Sequence, residues 1–141
     1  MVNTKLTRKA MTIAYNAHMN QLDRAGVPYI YHPIHVAEQM NDEISCICAL
    51  LHDVVEDTDI TFEDLQKEFP QEVINVLRLL THAENVDYMD YIKAIKQNKI
   101  ATKVKVVDIR HNSDPSRLDN VSEDDMRRTE KYKKALKILL G

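Results

Sequence analysis

Two histidines and two aspartates, widely separated along the chain, carry side chains of the kind that bind a divalent metal. They are His32, the adjacent pair His52 and Asp53, and Asp108. Each lies inside or at the end of an apolar segment that is typical of a buried helix. Two imidazole nitrogens and two carboxylate oxygens form a mixed site suited to Mn²⁺, Fe²⁺ or Zn²⁺, with Mn²⁺ favoured by the share of oxygen. Such a metal lowers the pKa of a water and supplies a hydroxide for attack on phosphorus.

A group of carboxylates follows the His-Asp pair within a few positions. Glu56 comes four residues after His52, and Asp57 comes four after Asp53, so a continuing helix places each near its partner. These charges repel one another at neutral pH unless a positive charge lies among them, which a metal supplies. Glu56 and Asp57 are therefore candidates to orient the water and move protons. A solvated helix end is the alternative interpretation.

Asp108 interrupts an otherwise apolar series in the segment KVKVVDIRHN. A buried carboxylate without a partner is costly, so this one needs a cation, a hydrogen-bond donor or solvent. The alternatives to a metal are a surface position or an ion pair with Lys105 or Arg110. Asn112 follows four residues later and should face the same way, where its amide can donate to a sugar hydroxyl or a phosphate. A helix C-terminal cap is the other interpretation of Asn112.

The elements that position these residues follow the 3.6-residue period of amphipathic or buried helices. The apolar spacing predicts helices over residues 4–19, 43–55, 71–80, 88–95, 100–111 and 122–140. Another helix is expected to begin near Pro33, and a short one, FEDLQKEF, to be capped by Thr61 and closed by Pro70. Residues 20–28 and the segment NSDPSRLDN have the composition of turns. We expect an all-α fold, a compact multi-helix bundle.

Length and composition exclude several other classes of protein. A chain of 141 residues suits one domain, and we expect residues 1–141 to form a single unit with no room for a second catalytic domain. The net charge of −3 gives no reason to expect nucleic acid or an anionic membrane as a partner. Cys46 and Cys48 lie too close together for a disulfide framework and are typical of buried thiols in a reducing compartment. No segment has the features of a secretory signal or a membrane span, so we expect a cytoplasmic protein.

Three segments, in this order and at these separations, resemble the signature of a known family. YIYHP, LLHDVVEDT and KVVDIRHN are similar to the His, His-Asp, Asp signature of the HD-domain phosphohydrolases. Within that family the likeness is to the hydrolase domain of RelA/SpoT-type (p)ppGpp enzymes and their small stand-alone relatives. It spans roughly residues 10–118.

This resemblance implies an all-helical fold with Mn²⁺ held by the two histidines and two aspartates named above. It also implies hydrolysis of the 3′-pyrophosphate of a guanosine nucleotide. Glu56 and Asp57 match the acidic pair that serves the attacking water in the family, and Asn112 matches its nucleotide-contacting asparagine. Arg24 falls where family members carry basic residues that pack on the base or hold phosphate.

The chain also departs from the family pattern near the expected substrate site. Asp23 stands where a second basic residue is usual, Val27 stands where an acidic one is frequent, and the run Ser113 to Arg117 replaces a more basic one. Two alternative functions follow. One is an HD-domain phosphohydrolase acting on another nucleotide, such as a deoxynucleoside 5′-phosphate or a redox dinucleotide phosphate. The other is a non-catalytic, alarmone-binding regulatory module.

Overall fold

The computed structural model describes residues 1–141, and helices are its only regular secondary structure apart from one isolated β-bridge. The nine α-helices are α1 Lys5–Ala17, α2 Tyr31–Glu38, α3 Glu43–Leu51, α4 Val54–Asp57, α5 Phe62–Gln66, α6 Gln71–Leu80, α7 Tyr88–Lys96, α8 Lys99–Asn112 and α9 Glu123–Leu140. A 3₁₀ turn, Pro115–Arg117, lies between α8 and α9. The predicted all-α fold is confirmed.

Helix α3 forms the centre of the bundle. Its seven residues from Ser45 to Leu51 are all buried, as expected of a helix that is apolar on most sides. It packs against α1, α2, α6 and α8, so it contacts four other helices. The buried apolar residues form one continuous core, which α3 extends up to the position of His52.

Polar caps explain where several helices begin. Thr61 and Asp64 form the expected capping box at the start of α5, and Ser122 and Asp125 form another at the start of α9. Each cap satisfies backbone N–H groups that have no partner within the helix and contributes about 1 kcal/mol. Helix α5 ends at Gln66 rather than continuing to Phe69, because the backbone N–H groups of Glu68 and Phe69 both donate to the Leu65 carbonyl and form turns there.

The prediction of one helix over 43–55 is wrong, because the chain breaks at the His-Asp pair. Helix α3 ends at Leu51, His52 is its C-cap, and Asp53 precedes the separate short helix α4. The His52 ring nitrogen Nδ1 bonds to the Ala49 carbonyl at 2.5 Å. Adjacent residues on an unbroken helix point about 100° apart, whereas the break lets both side chains reach the same place.

The turn between α1 and α2 contains two residues with positive φ, Asn20 at 70° and Gly26 at 83°. Asparagine and glycine are the residues that adopt this conformation at least cost. The carboxylate of Asp23 accepts hydrogen bonds from the backbone N–H groups of Ala25 and Val27 and closes the turn. Helix α2 then begins at Tyr31, with Pro33 in its first turn.

None of the helices combines the length and the apolar character needed to cross a membrane.

Candidate metal centre

The two histidines and two aspartates predicted from the sequence converge at one place. Helix α2 supplies His32, the α3–α4 junction supplies His52 and Asp53, and α8 supplies Asp108. One ligand atom from each lies within 4.8 Å of all the others, so the four side chains form a cluster that could hold a metal ion. His32, His52 and Asp108 are each 3% exposed or less, which rules out the surface position considered for Asp108.

The distances within the cluster suit a small cation. His32 Nε2 lies 2.8 Å from Asp108 Oδ1 and 3.8 Å from Asp53 Oδ2. His52 Nε2 lies 3.0 Å from Asp53 Oδ2 and 3.4 Å from Asp108 Oδ1. Ligands about 2.0–2.2 Å from a common Zn²⁺ or similar ion stand at separations of this order.

His52 gives the clearest sign that a cation belongs here. Its Nδ1 faces the Ala49 carbonyl and must carry a hydrogen, while its Nε2 is buried without a hydrogen-bond partner. Nε2 faces carboxylate oxygens of Asp53 and Asp108, which in their charged form can only accept hydrogen bonds. Burial lowers the pKa of His52, but the two carboxylates outweigh that effect and raise it well above its ordinary value. The cluster therefore attracts positive charge, and its two nitrogen and two oxygen donors fit a divalent metal.

Three further side chains hold the carboxylates in place. The Tyr29 hydroxyl donates to Asp53 Oδ2 at 2.5 Å. The Lys105 ammonium donates to Asp108 Oδ2 at 2.9 Å, and Asn112 Nδ2 donates to Asp108 Oδ1 at 3.0 Å. Burial raises the pKa of Asp108, but Lys105, His52 and the hydrogen bonds from the histidines bring it well below its usual range. The carboxylate stays charged and ready to bind a cation.

Lys105 therefore forms the ion pair considered for Asp108 from the sequence, and this pair coexists with the histidine contacts. Its side chain is only 15% exposed, and its ammonium also lies 5.3 Å from the centre of the Tyr91 ring. Burial lowers the pKa of Lys105, but the attraction of Asp108 raises it well above the ordinary value. Lys105 acts on the cluster through Asp108 Oδ2, leaving Oδ1 to face the histidines.

Glu56 and Asp57 lie on α4, next to the cluster but outside the set of converging ligand atoms. The prediction that Glu56 and Asp57 continue the helix of His52 is wrong, because both lie on the separate short helix α4. This short helix places them beside the cluster. Glu56 Oε1 accepts the backbone N–H of His82 at 2.8 Å. Burial and the charges of Asp53 and Glu56 raise the pKa of Asp57 to about 6. The negative charge of Asp53 in the cluster therefore disfavours ionisation of Asp57.

Arg24 and Asn112 line a cavity of about 240 Å³. Its wall also includes Tyr29, whose hydroxyl donates to Asp53 of the cluster. Arg24 forms an ion pair with Asp125 at the start of α9, and its side chain is 47% exposed. Asn112 is the last residue of α8 and does not cap it; the backbone of Ser113 closes the helix. Because the Asn112 amide contacts Asp108, this residue links the cavity to the candidate metal centre.

Two further histidines, His18 and His111, also belong to the surroundings of the cluster. His111 Nδ1 lies 2.7 Å from His32 Nδ1, and His18 is buried against Tyr29 with its Nδ1 3.0 Å from Gln21 Oε1. Burial, followed by the nearby Arg117, lowers the pKa of His111 to about 4. The only sequence signal for His111 is its position three residues after Asp108, which places both on one face of α8.

The fold and this cluster together define the class of protein. A family model described as HD domain matches residues 10–137, and the chain belongs to that family. The resemblance found in its three sequence segments is confirmed.

Three of the similar proteins are longer proteins from bacteria. The chain is 35% identical over 123 residues to a probable GTP pyrophosphokinase of Mycobacterium leprae, covering 78% of this chain and 16% of that protein. It is 34% identical over 98 residues to the bifunctional (p)ppGpp synthase/hydrolase SpoT of Escherichia coli, covering 67% of this chain and 14% of that protein. It is 33% identical over 139 residues to guanosine-3′,5′-bis(diphosphate) 3′-pyrophosphohydrolase of Aquifex aeolicus, covering 92% of this chain and 19% of that protein. The chain thus spans less than a fifth of the length of these relatives.

One solved structure shares the fold over the whole chain. It is described as a metazoan ortholog of SpoT that hydrolyses ppGpp, and it superposes with a TM-score of 0.80. The alignment covers 100% of this chain and 89% of that one, at 23% sequence identity. This likeness supports the helical architecture of the HD domain.

Proposed function

We propose that this protein is a divalent-metal-dependent phosphohydrolase that removes the 3′-pyrophosphate of (p)ppGpp or a close analogue. The observation that carries the proposal is the convergence of His32, His52, Asp53 and Asp108, with the unpartnered Nε2 of His52 facing two carboxylate oxygens. Relatives named as pyrophosphohydrolases of this nucleotide, at 33–35% identity, support the choice of substrate.

The four side chains of the cluster hold the metal in this proposal, with Mn²⁺ as the leading ion and Fe²⁺ or Zn²⁺ as alternatives. Mixed imidazole and carboxylate donors suit these ions. When bound, such an ion lowers the pKa of a water enough for it to act as a nucleophile near neutral pH. Tyr29, Lys105 and Asn112 keep the two carboxylates oriented by their hydrogen bonds.

Asp57 and Glu56 serve the attacking water. A carboxylate with a pKa near 6 is well matched to accepting a proton at neutral pH, and Asp57 has that value. The water oxygen bonds to the phosphorus attached to the 3′-oxygen, and the P–O3′ bond breaks. The 3′-oxygen gains a proton, and pyrophosphate leaves.

Arg24 and Asn112 contact the nucleotide in the cavity. The guanidinium of Arg24 offers a flat cationic surface or a fork of donors for phosphate. The cavity of about 240 Å³ is lined by both residues, and Asn112 also contacts Asp108, which supports a nucleotide bound there with its 3′-pyrophosphate towards the cluster. We further propose that residues 1–141 work as one HD-type unit, which the single continuous core supports, and that the protein acts in the cytoplasm.

The test is a turnover panel of the purified protein with Mn²⁺. ppGpp, pppGpp, a deoxynucleoside 5′-phosphate and a redox dinucleotide phosphate are compared, with GDP and GTP release followed by chromatography. Glu56→Gln and Asp57→Asn should each lower kcat at least tenfold while metal content stays unchanged. Asp59→Asn is the matched control, since it removes a carboxylate from the exposed turn that follows α4.

Each alternative corresponds to a distinct outcome. Turnover of another nucleotide but not of ppGpp would retain the metal centre and replace the substrate. Tight binding of ppGpp without turnover would favour the regulatory module. Loss of metal from Glu56→Gln would place Glu56 among the ligands rather than beside the water.

A further inference from the structure

His111 and His32 form a direct contact between two imidazole rings. Their Nδ1 atoms lie 2.7 Å apart, a hydrogen-bond distance between two ring nitrogens. One of the two nitrogens must therefore donate a hydrogen and the other must accept it. The contact joins α2 to the end of α8, 79 positions apart in sequence.

The geometry of the two rings favours a hydrogen bond within the ring plane over face-to-face stacking. The ring planes differ by only 7°, and the ring centres are 5.0 Å apart. With the nitrogens at 2.7 Å, such a separation requires both nitrogens to lie nearly on the line between the ring centres. The lone pair of one nitrogen therefore points directly at the N–H of the other.

When a metal is bound, the second ring nitrogen of His32, Nε2, determines which of the two rings donates the hydrogen bond. His32 Nε2 faces Asp108 Oδ1 at 2.8 Å and is the nitrogen that belongs to the cluster. A nitrogen that binds a metal uses its lone pair and carries no hydrogen, so the hydrogen of a neutral His32 must be on Nδ1. His111 Nδ1 is then the acceptor.

We propose that His111 is a positioning residue for the metal, accepting the Nδ1–H of His32 and so presenting the His32 Nε2 lone pair to the ion. The inference rests on the metal site proposed above and extends it to a residue that binds neither metal nor substrate. Metal-ligating histidines usually donate their second N–H to a carboxylate, a backbone carbonyl or water, and here a second imidazole has that role.

The rest of the structure holds His111 in this orientation. Its ring stacks on the ring of His35, with centres 4.0 Å apart and planes 17° apart. Its backbone carbonyl accepts from the guanidinium of Arg117 at 2.8 Å. Because Asp108 and Asn112 come from the same two turns of α8, a single helix supplies a cluster aspartate, a donor to that aspartate and the acceptor for His32.

Metal affinity provides the first test, since it is measured without any turnover. Mn²⁺ titrations of the full chain compare wild type with His111→Phe, which keeps an aromatic ring against His35 and removes the acceptor. We expect the dissociation constant to rise about 10- to 100-fold, the usual effect of losing such a partner. His111→Gln, which restores an acceptor oxygen, should recover part of the affinity.

The matched control is His35→Phe, which changes the ring stacked on His111 but leaves the His32–His111 hydrogen bond intact. It should bind Mn²⁺ within about twofold of wild type, well below the roughly 10- to 100-fold loss expected when the partner of a metal ligand is removed. Thermal unfolding of the metal-free proteins verifies that each variant is folded.

The second test uses the wild-type protein alone. Long-range ¹H–¹⁵N correlation spectra of the histidine rings, recorded with Zn²⁺ bound, report which nitrogen carries hydrogen. We expect a protonated Nδ1 on His32 and an unprotonated Nδ1 on His111. A protonated His111 Nδ1, or wild-type affinity in His111→Phe, would overturn the inference while leaving the metal site in place. Absence of Mn²⁺ and Zn²⁺ binding by wild type would overturn both.

Discussion

Asp23 and Arg117, which are 94 positions apart in sequence, pair with each other across the edge of the cavity. Arg117 Nη2 donates to Asp23 Oδ2 at 3.2 Å, and both side chains are at most 25% exposed. Asp23 and the run ending at Arg117 are both interpreted from the sequence as departures from the family pattern, and in the structure they contact each other. The acidic residue in the turn therefore has a basic partner, and its charge is neutralised locally.

A double-mutant cycle on this pair should show coupling. Asp23→Asn and Arg117→Met each lose the ion pair, and Arg117→Met also loses the hydrogen bond to the His111 carbonyl. The double variant should therefore lose little more than Arg117→Met alone. We expect a coupling free energy of about 1 kcal/mol, the upper end for a pair that water still reaches. Urea denaturation of the four proteins measures it. Strictly additive effects would show that the two charges do not stabilise each other.

Lys105 is expected to be essential for the stability of the metal-free protein. Lys105→Met removes the ammonium that lies 2.9 Å from Asp108 Oδ2 and leaves a buried carboxylate without that partner. Breaking a buried pair costs about 3–5 kcal/mol of unfolding free energy when the remaining charge has no other partner, and the contacts of Asp108 with Asn112 and His32 should make the loss smaller here. Urea denaturation in the presence of a chelator tests this expectation.

Two further variants separate charge from packing at this pair. Lys99→Met, an exposed lysine on the same helix, should change the unfolding free energy by less than about 0.5 kcal/mol. Adding Asp108→Asn to Lys105→Met should recover part of the loss, because the unpaired charge is gone. An equal loss in the single and double variants would assign the effect to packing of the lysine stem.

The fold and the four side chains that converge on the candidate metal centre could be predicted from the sequence, because both depend on local patterns. Apolar residues at helical spacing define α6 to within a residue, and the Thr61 cap marks the start of α5. The break after Leu51 could not be predicted, since the apolar pattern continues through Val54 and Val55 and neither glycine nor proline interrupts it. The break brings His52 and Asp53 to one site, which the apolar pattern does not reveal.

The supporting contacts of the site were harder to predict for a related reason. His111 lies on the same face of α8 as Asp108, but sequence spacing does not reveal that His32 of α2 faces it. The Asp23–Arg117 pair likewise joins two loops whose separation is set by the packing of the helices between them. Residue types and the helical spacing of apolar residues specify the helices, whereas contacts between side chains that are distant in sequence depend on how those helices pack.

Asp57 should give the metal-free protein a characteristic pH dependence. Its pKa is about 6 in the folded protein and 3.8 ordinarily, so between these values the folded state binds more protons than the unfolded state. Stability therefore falls as pH rises through this window, and the contribution of Asp57 is fully unfavourable above it. Unfolding free energies at pH 4.5 and pH 7 are compared with chelator present.

The Asp57→Asn variant isolates this contribution from those of the other carboxylates. Because the amide does not titrate, the variant should gain stability relative to wild type at pH 7 and clearly less at pH 4.5, where the loss in wild type has only begun. Asp59→Asn serves as the control in the exposed turn. A difference between wild type and Asp57→Asn that is the same at both pH values would contradict the raised pKa.

Metal binding itself should stabilise the fold through His52. A cation that binds only the folded protein raises the unfolding free energy by about 2.7 kcal/mol at about 100 times its dissociation constant. Thermal unfolding with and without Mn²⁺ should show this increase in wild type. His52→Gln should abolish it, because the amide cannot replace the buried Nε2 that faces Asp53 and Asp108. His35→Phe, a change at an exposed histidine outside the cluster that keeps a ring against His111, should retain it. The same increase in His52→Gln and wild type would mean that Mn²⁺ stabilises the protein from some other place, and the cluster would lose its assignment as the metal centre.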